Sequence, residues 1–313
     1  MLNIVFMGTP DFAVPTLESL LQWEGGRVVA VVTAPDRPAG RGRQLQASAV
    51  KVAAEAHGVP VLQPTNLKSP DFQAELHSFG ADLQVVVAFR MLPEAVWNMP
   101  RLGSINIHAS LLPQYRGAAP INWALMHGDT ETGVTSFFLR HEIDTGDLIF
   151  QDRVPIVPED DFGSLYNKLK MVGADLARRS VVAIAAGTAP SIPQPQHQNL
   201  RSAPKLQKET GRLDFARPAA ELVNWVRGLS PVPTAFAALP DGRSIKIFRA
   251  LPVPAEVAEP LAAPGTWASD GKHFLRVAAA DAWLDLLDVQ LEGKKRLPVK
   301  ELLLGFKLPA QSV

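Results

Sequence analysis

The sequence predicts an α/β chain, with a mostly parallel sheet interleaved with helices in its first part and a smaller, mainly β domain in its last. Three observations predict it. Apolar, β-branched runs such as Val28–Thr33 and Leu83–Ala88 lack the polar alternation of half-exposed strands, as expected of parallel strands covered on both faces. Helix-spaced apolar residues separate these runs, which is the pattern of crossover units. From Gly187 the pattern gives way to prolines among Gln, Ser and Asn, and then to short strand-like runs punctuated by Asp-Gly and Pro-Gly turns.

In chain order, Asn3–Met7 is a strand closed by Gly8-Thr9-Pro10. Phe12, Leu17, Leu20 and Leu21 follow helical spacing, with Pro15 acceptable in a first turn. Val28–Thr33, Val59–Leu62 and Leu83–Ala88 are further strands, with a helix over 69–79. Ser104–His108 is the fifth strand, followed by a helix over Ala119–His127, strands at Val134–Leu139 and Leu148–Ile156, and a long amphipathic helix over 162–186. Residues 190–208 read as an extended linker between a domain at 1–189 and a second at 209–313. The second holds a helix at Pro218–Arg227, strands at Ala235–Leu239, Ile245–Ala250, Phe274–Ala278 and Trp283–Val289, and a short helix at Val299–Leu304, which suits a small sandwich or barrel.

A length of 313 residues exceeds what one core usually spans, and 47% hydrophobic with 20% charged residues excludes disordered and fibrous classes. With no cysteine, disulfides, thiolate metal sites and a cysteine nucleophile are excluded. No apolar run approaches the ~18 residues of a membrane span. The first residues lack the basic region and small-residue cleavage site of a secretory signal, so a cytoplasmic protein is expected. Net charge is zero, but residues 1–190 carry 15 basic and 19 acidic groups while residues 201–313 carry 16 and 12. A charged partner laid across both parts fits that asymmetry.

The chemistry concentrates in Ser104-Ile105-Asn106-Ile107-His108-Ala109-Ser110-Leu111-Leu112-Pro113. Alternation puts Ser104, Asn106, His108 and Ser110 on one face, and a polar face on a central strand is costly unless it borders a pocket. In open α/β sheets ligands sit beyond the carboxyl ends of the strands, where His108 falls. Asn106 offers an amide for a developing oxyanion, and His108 an imidazole that can accept or donate a proton. Asp144, in His141-Glu142-Ile143-Asp144-Thr145-Gly146-Asp147, is the best third partner. With no Ser or Cys nucleophile at hand, direct transfer between two bound substrates fits this set. A non-enzymatic nucleotide- or RNA-binding module is the alternative, and it leaves the three groups unexplained. One glycine in Gly8-Thr9-Pro10 is too few for a dinucleotide fingerprint, and His141-Glu142 lacks the second histidine of a zinc motif, so no metal is expected.

Asn106-x-His108-x-Ser110-Leu111-Leu112-Pro113-x-x-Arg116-Gly117-Ala118-Ala119-Pro120, followed by Asp144-Thr145-Gly146-Asp147, resembles the signature of the 10-formyltetrahydrofolate-dependent formyltransferases. Phe6-Met7-Gly8-Thr9-Pro10-Asp11-Phe12-Ala13, Pro35-Asp36-Arg37-Pro38-Ala39-Gly40-Arg41-Gly42 and Lys205-Leu206-x-Lys208-Glu209 resemble the branch that acts on aminoacylated initiator tRNA, and the likeness runs from residue 2 to about 307. It implies a Rossmann-like catalytic domain followed by an OB-like C-terminal β-barrel. It also implies formyl transfer from 10-formyltetrahydrofolate to the α-amino group of methionine on initiator methionyl-tRNA, with tetrahydrofolate released. By motif match Asn106, His108 and Asp144 are the catalytic group. Ser110, Leu111, Leu112 and Pro113 form the folate-binding loop, with Val87, Ala88, Phe89 and Asp144 lining the pterin pocket. Phe12 is placed near the methionyl group. A related formyltransferase or formyl-folate hydrolase acting on an amino sugar, a purine precursor or water is the alternative within the same fold. A monomer is expected.

A basic surface completes the picture. Arg37, Arg41, Arg43 and Lys51 follow the second strand in a Pro/Gly-rich stretch that reads as a loop, on the sheet edge that carries Asn106 and His108. Arg201, Lys205, Lys208, Arg212 and Arg217 outnumber Glu209 and Asp214 in and after the linker. Such sets position a nucleic-acid backbone. The resemblance singles out Arg41 for the acceptor stem, with Arg37, Arg43, Lys205, Lys208 and Arg212 as further tRNA contacts. Lys294, Lys295 and Arg296 either extend that footprint or form a basic hairpin turn.

Overall fold

Seven strands form the sheet at the centre of the chain's first part: β1 Leu2–Gly8, β2 Gly26–Val32, β3 Val61–Leu62, β4 Leu83–Val87, β5 Ser104–His108, β6 Glu131–Phe138 and β7 Leu148–Pro155. Their order is β7-β6-β5-β4-β1-β2-β3. The structure, a computed structural model, describes residues 1–39, 44–196, 199–253 and 261–310. Two compact units divide the chain. The first comprises Met1–Gly117, Glu131–Pro155 and Tyr166–Ser202, and the second Ala118–Thr130, Ile156–Leu165 and Ala203–Val313. Among the described residues no helix is long and apolar enough to cross a membrane.

In the first unit β3, β2, β1, β4 and β5 run parallel, and β6 and β7 add antiparallel to the β5 edge. The mostly parallel sheet is as the sequence predicts. Val5, Met7, Ala30, Val32 and Val86 pack on one face against Phe72 and Leu76 of the helix Pro70–Ser78. Ile4, Phe6, Val31 and Val85 are equally buried. Burial of successive residues is why these strands read as unbroken apolar runs, and each such side chain contributes about 1.5–3 kcal/mol. On the antiparallel edge the helix Phe162–Ala185 comes close. A Cβ at its Gly173 would lie 3.4 Å from Ile107 of β5 and 3.7 Å from Val134 of β6.

The stretch after β2 differs from expectation. Arg37–Ala39 pairs antiparallel with Gln44–Gln46, and a helix spans Ala49–Ala56. The Ser48 hydroxyl accepts the Lys51 N–H at 3.0 Å, a helix cap, and the alanines that follow are strong helix formers. That cap sits just past the prolines and glycines that suggested a loop. Lys51 is therefore helical, and its ammonium is held 2.6 Å from Asp36. Arg41 and Arg43 lie outside the described residues.

The second unit is built on an antiparallel sheet: β8 Ala235–Ala238, β9 Ser244–Pro252, β10 Trp267–Ser269, β11 Leu275–Ala278, β12 Trp283–Leu291 and β13 Arg296–Pro298. The order is β8-β9-β12-β11-β10, with β13 also paired to β12. Leu222, Val226 and Leu229 of the helix Ala219–Leu229 close its core with Ile245, Ile247, Leu284 and Leu286. The sheet is a curled half-barrel, with β8 and β10 at its two ends. Strands β10 and β13 escape the sequence pattern because three residues are too few to display a period of two.

Candidate active site

The parallel part of the first sheet has the order β3-β2-β1-β4-β5, so the connections reverse direction between β1 and β4. In such sheets the crevice opens beyond the carboxyl ends at that reversal. A cleft of about 480 Å³ lies there, lined among others by Thr9, Pro10, Arg37, Ser48, Ala88 and Phe89. Ala88 and Phe89, expected in the pterin pocket, and Arg37, expected on tRNA, thus share one cleft, whereas Val87 is fully buried beneath it. Arg90 follows, donating to the carbonyls of Pro64 and Thr65. Partial burial and the neighbouring Arg37 hold its guanidinium below the ordinary arginine value.

His108 ends β5, 7% exposed, with Nε2 2.8 Å from the Tyr115 carbonyl oxygen. A carbonyl can only accept, so Nε2 carries a proton and donates it. Nδ1 is then the nitrogen free to gain or lose one, and it lies 3.8 Å from Asp144 Oδ2. That spacing exceeds a hydrogen bond, so neither group is consumed by the other. Asp144 Oδ2 also accepts the Gly117 N–H at 2.9 Å, which ties the acidic turn to the Arg116-Gly117 motif. Asn106 stands two residues before His108, half-buried, and among the described residues its amide has no side-chain hydrogen bond. The structure therefore brings together the two stretches, 106–108 and 144, that the sequence pairs for catalysis.

The other expected residues divide. The Ser110 hydroxyl is fully buried and donates to the Gln114 carbonyl at 2.6 Å. Leu112 packs with Phe137 and Leu148, its N–H donating to Thr135 Oγ1. Pro113 is buried too, which leaves Leu111, half-buried, as the side chain of this loop open to a ligand. Phe12 is buried edge-on against the Tyr166 ring, centroids 5.1 Å apart. The Tyr166 hydroxyl accepts the Phe12 N–H at 2.9 Å and donates to Asp11 at 2.6 Å. Burial first, and then Asp11, push that phenol well above its usual range, so it stays a donor. In the second unit Lys205, Lys208 and Arg212 are exposed. Arg217 pairs with Glu221 and stacks on Trp225, and Arg296 is held by Asp288.

Several contributors escaped the sequence. The Tyr115 carbonyl and the Gly117 N–H act through backbone groups, and the Gln194 side-chain amide, 2.8 Å from the Asp144 carbonyl oxygen, sits in a stretch without apolar period, so no residue pattern announces any of them. Ala88, Tyr115 and Asp144 all hold left-handed backbone, at φ 48°, 60° and 55°. Side-chain-bearing residues there are strained by of order 1–3 kcal/mol each, and such positions cluster at functional sites. Among the described residues no group of three His, Cys, Asp or Glu could hold a metal ion.

Comparison with known proteins finds relatives over nearly the whole chain. The family profile "Formyl transferase" matches residues 2–181, and "Formyl transferase, C-terminal domain" matches residues 205–307. A methionyl-tRNA formyltransferase of Bacteroides fragilis is 52% identical over 98% of this chain and 96% of its own length. That of Parabacteroides distasonis is 50% identical over 99% and 97%. Among solved structures, HypX from Aquifex aeolicus in complex with tetrahydrofolic acid superposes with a TM-score of 0.59 at 19% identity, covering 96% of this chain and 46% of that one. WlaRD, a sugar 3N-formyl transferase, superposes with a TM-score of 0.66 at 17% identity over 94% and 99%. At those identities the structural likeness speaks for the fold alone.

Proposed function

The chain belongs to the formyl transferase family, and we infer from that membership and the site's geometry that Asn106, His108 and Asp144 carry its chemistry. It is a methionyl-tRNA formyltransferase in activity: the formyl group of 10-formyltetrahydrofolate passes to the α-amino group of methionine on initiator methionyl-tRNA. The amine nitrogen forms a bond to the formyl carbon, the bond from that carbon to folate N10 breaks, and one proton moves from the amine to N10.

Each residue answers one demand of that exchange. Negative charge develops on the formyl oxygen, and the Asn106 amide donates to it without first giving up a protein partner. His108 donates from Nδ1, its Nε2 being fixed on the Tyr115 carbonyl. Asp144 faces that nitrogen at 3.8 Å, stabilises the imidazolium and orders the proton relay toward N10. The observation that supports these roles is this single orientation, in which the exchangeable nitrogen of the imidazole points at a carboxylate. We assign the pterin to Ala88 and Phe89, which line the cleft, together with the Asp144 turn.

Tethering of the acceptor falls to Arg37, Arg41 and Arg43 with Lys205, Lys208 and Arg212, and the methionyl group to the loop around Phe12. The domain at 1–189 supplies the chemistry and that at 209–313 holds tRNA, with the protein acting as a monomer in the cytoplasm, where translation begins. The direct test is incubation with 10-formyltetrahydrofolate and aminoacylated initiator or elongator methionine tRNA. N-formylmethionine should form on the initiator, and formyl transfer to an amino sugar instead would overturn the acceptor assignment. Asn106→Ala should lower kcat by ~10²–10³ with the fold intact, the usual loss of one oxyanion donor. Near-normal turnover would remove Asn106 from the catalytic group.

A further inference from the structure

We propose that Gln194, with Ser191 and Ile192 beside it, is a positioning residue for Asp144. The proposal rests on the catalytic role assigned to Asp144 above. Gln194 Nε2 donates to the Asp144 carbonyl at 2.8 Å and to the Gly146 carbonyl at 2.9 Å. Its Oε1 accepts two N–H groups of the Arg116 guanidinium, at 2.6 and 3.2 Å. Two donors and two acceptor positions are all that an amide side chain has, and all four are used. The orientation is unambiguous, because the flipped amide would set oxygen against two carbonyls and NH₂ against a cation.

What this amide grips is the turn that needs gripping. Asp144 is left-handed, at φ 55°, a conformation that Asp adopts only occasionally and that contacts from outside the turn help to hold. The neighbouring contacts act in the same sense. Leu148 and Ile192 exchange backbone hydrogen bonds at 2.8 and 3.0 Å, and the Ser191 hydroxyl donates to Asp147 at 2.8 Å. Farther along the segment the Arg201 carbonyl accepts the Tyr115 N–H at 2.7 Å, and the Tyr115 carbonyl in turn holds His108 Nε2. Ser191, Ile192 and Gln194 thus hold the turn that carries Asp144, and Arg201 holds the residue whose carbonyl holds His108, the two partners of the 3.8 Å pair.

Gln194→Glu tests this. The carboxylate keeps the Arg116 contact but turns an oxygen toward the carbonyls of Asp144 and Gly146. Expected is a fall in kcat of roughly tenfold or more, with KM for 10-formyltetrahydrofolate changed by less than about threefold. In an Asp144→Asn background the same substitution should change kcat by less than about threefold, because the group it positions is already gone. Equal losses in both backgrounds would mark Gln194 as merely structural and overturn the proposal, as would unchanged kcat in the native background. Gln194→Ala, which lacks the oxygen–oxygen repulsion, carries the same pair of measurements if the Glu variant does not fold. Normal turnover by Asp144→Asn alone would instead sink the catalytic assignment of Asp144. Slow Asp144→Asn with fast Gln194→Glu and Gln194→Ala sinks only the positioning role.

Discussion

Gly146→Ala is the sharpest steric probe of the acidic turn. A Cβ at Gly146 would stand 1.6 Å from the Phe138 carbonyl oxygen and 2.8 Å from its carbonyl carbon. Close C···O contacts in proteins sit at about 3.3–3.6 Å, so the two segments must separate by roughly 1.7 Å. Phe138 is not the partner that yields, since it ends β6 in register with Ile105 of β5. The turn must move, and it carries Asp144 two residues away. A displacement of about 1 Å at a reacting group costs of order 10² in rate, and overpacking a well-fitted contact costs about 1–3 kcal/mol of stability. The assay is kcat at saturating 10-formyltetrahydrofolate and methionyl-tRNA, measured beside denaturant unfolding. Gly305→Ala, where an added Cβ meets nothing within 4 Å, is the control and should leave both unchanged. A folded Gly146→Ala enzyme with native turnover would refute either the tight seat of the turn or the need for Asp144 to stay where it is.

Two further outcomes follow, one from a contact in the structure and one from the proposed tRNA surface. The Asn3 N–H at 2.8 Å and the Arg101 guanidinium at 2.7 Å hold the Asp82 carboxylate below its ordinary range. A depressed carboxylate contributes stability in full above its unfolded value near 3.9, and that contribution is lost as pH falls through the lower folded value. Asp82→Asn should therefore lower stability at pH 7 by about 1 kcal/mol. The difference should vanish in acid below both values, and a pH-independent deficit in unfolding titrations would contradict the assignment. On the tRNA side, Lys205→Ala, Lys208→Ala and Arg212→Ala should each reduce the slope of log K against log salt by roughly 0.7–0.9, measured by filter binding or fluorescence. A slope unmoved by all three would remove these cations from the phosphate footprint.

The sequence was most legible where its period matched the geometry. Asn106 and His108 are two apart on a strand, so one face and one strand end followed from alternation alone, and β5 delivers both. Asp144 was reachable by motif and by its place between two strand patterns. β6 runs antiparallel to β5 with Phe138 opposite Ile105, so the β6–β7 connection leaves beside the start of β5 and has to double back for Asp144 to reach His108 at the other end. Pattern gives no sign of that return. Tyr115 and Gln194 were invisible for a different reason. One acts through its carbonyl, the other through an amide in a stretch with no apolar period, and a left-handed tyrosine carries no glycine to mark it. The basic stretch after β2 shows composition misleading in the opposite sense. Prolines and glycines suggested a loop as far as Lys51, but a single serine cap started a helix and Asp36 took up the lysine.

The left-handed residues on the connections that carry the candidate site bear on how the protein should respond to warming. Ala88, Tyr115 and Asp144 lie on three separate connections, each in a backbone conformation that residues with a Cβ adopt uncommonly. Heat loosens such connections sooner than it melts a fully buried sheet, because openings confined to a loop require less free energy than global unfolding. Catalytic output should consequently decline at temperatures where circular dichroism still reports an intact molecule, and it should return on cooling.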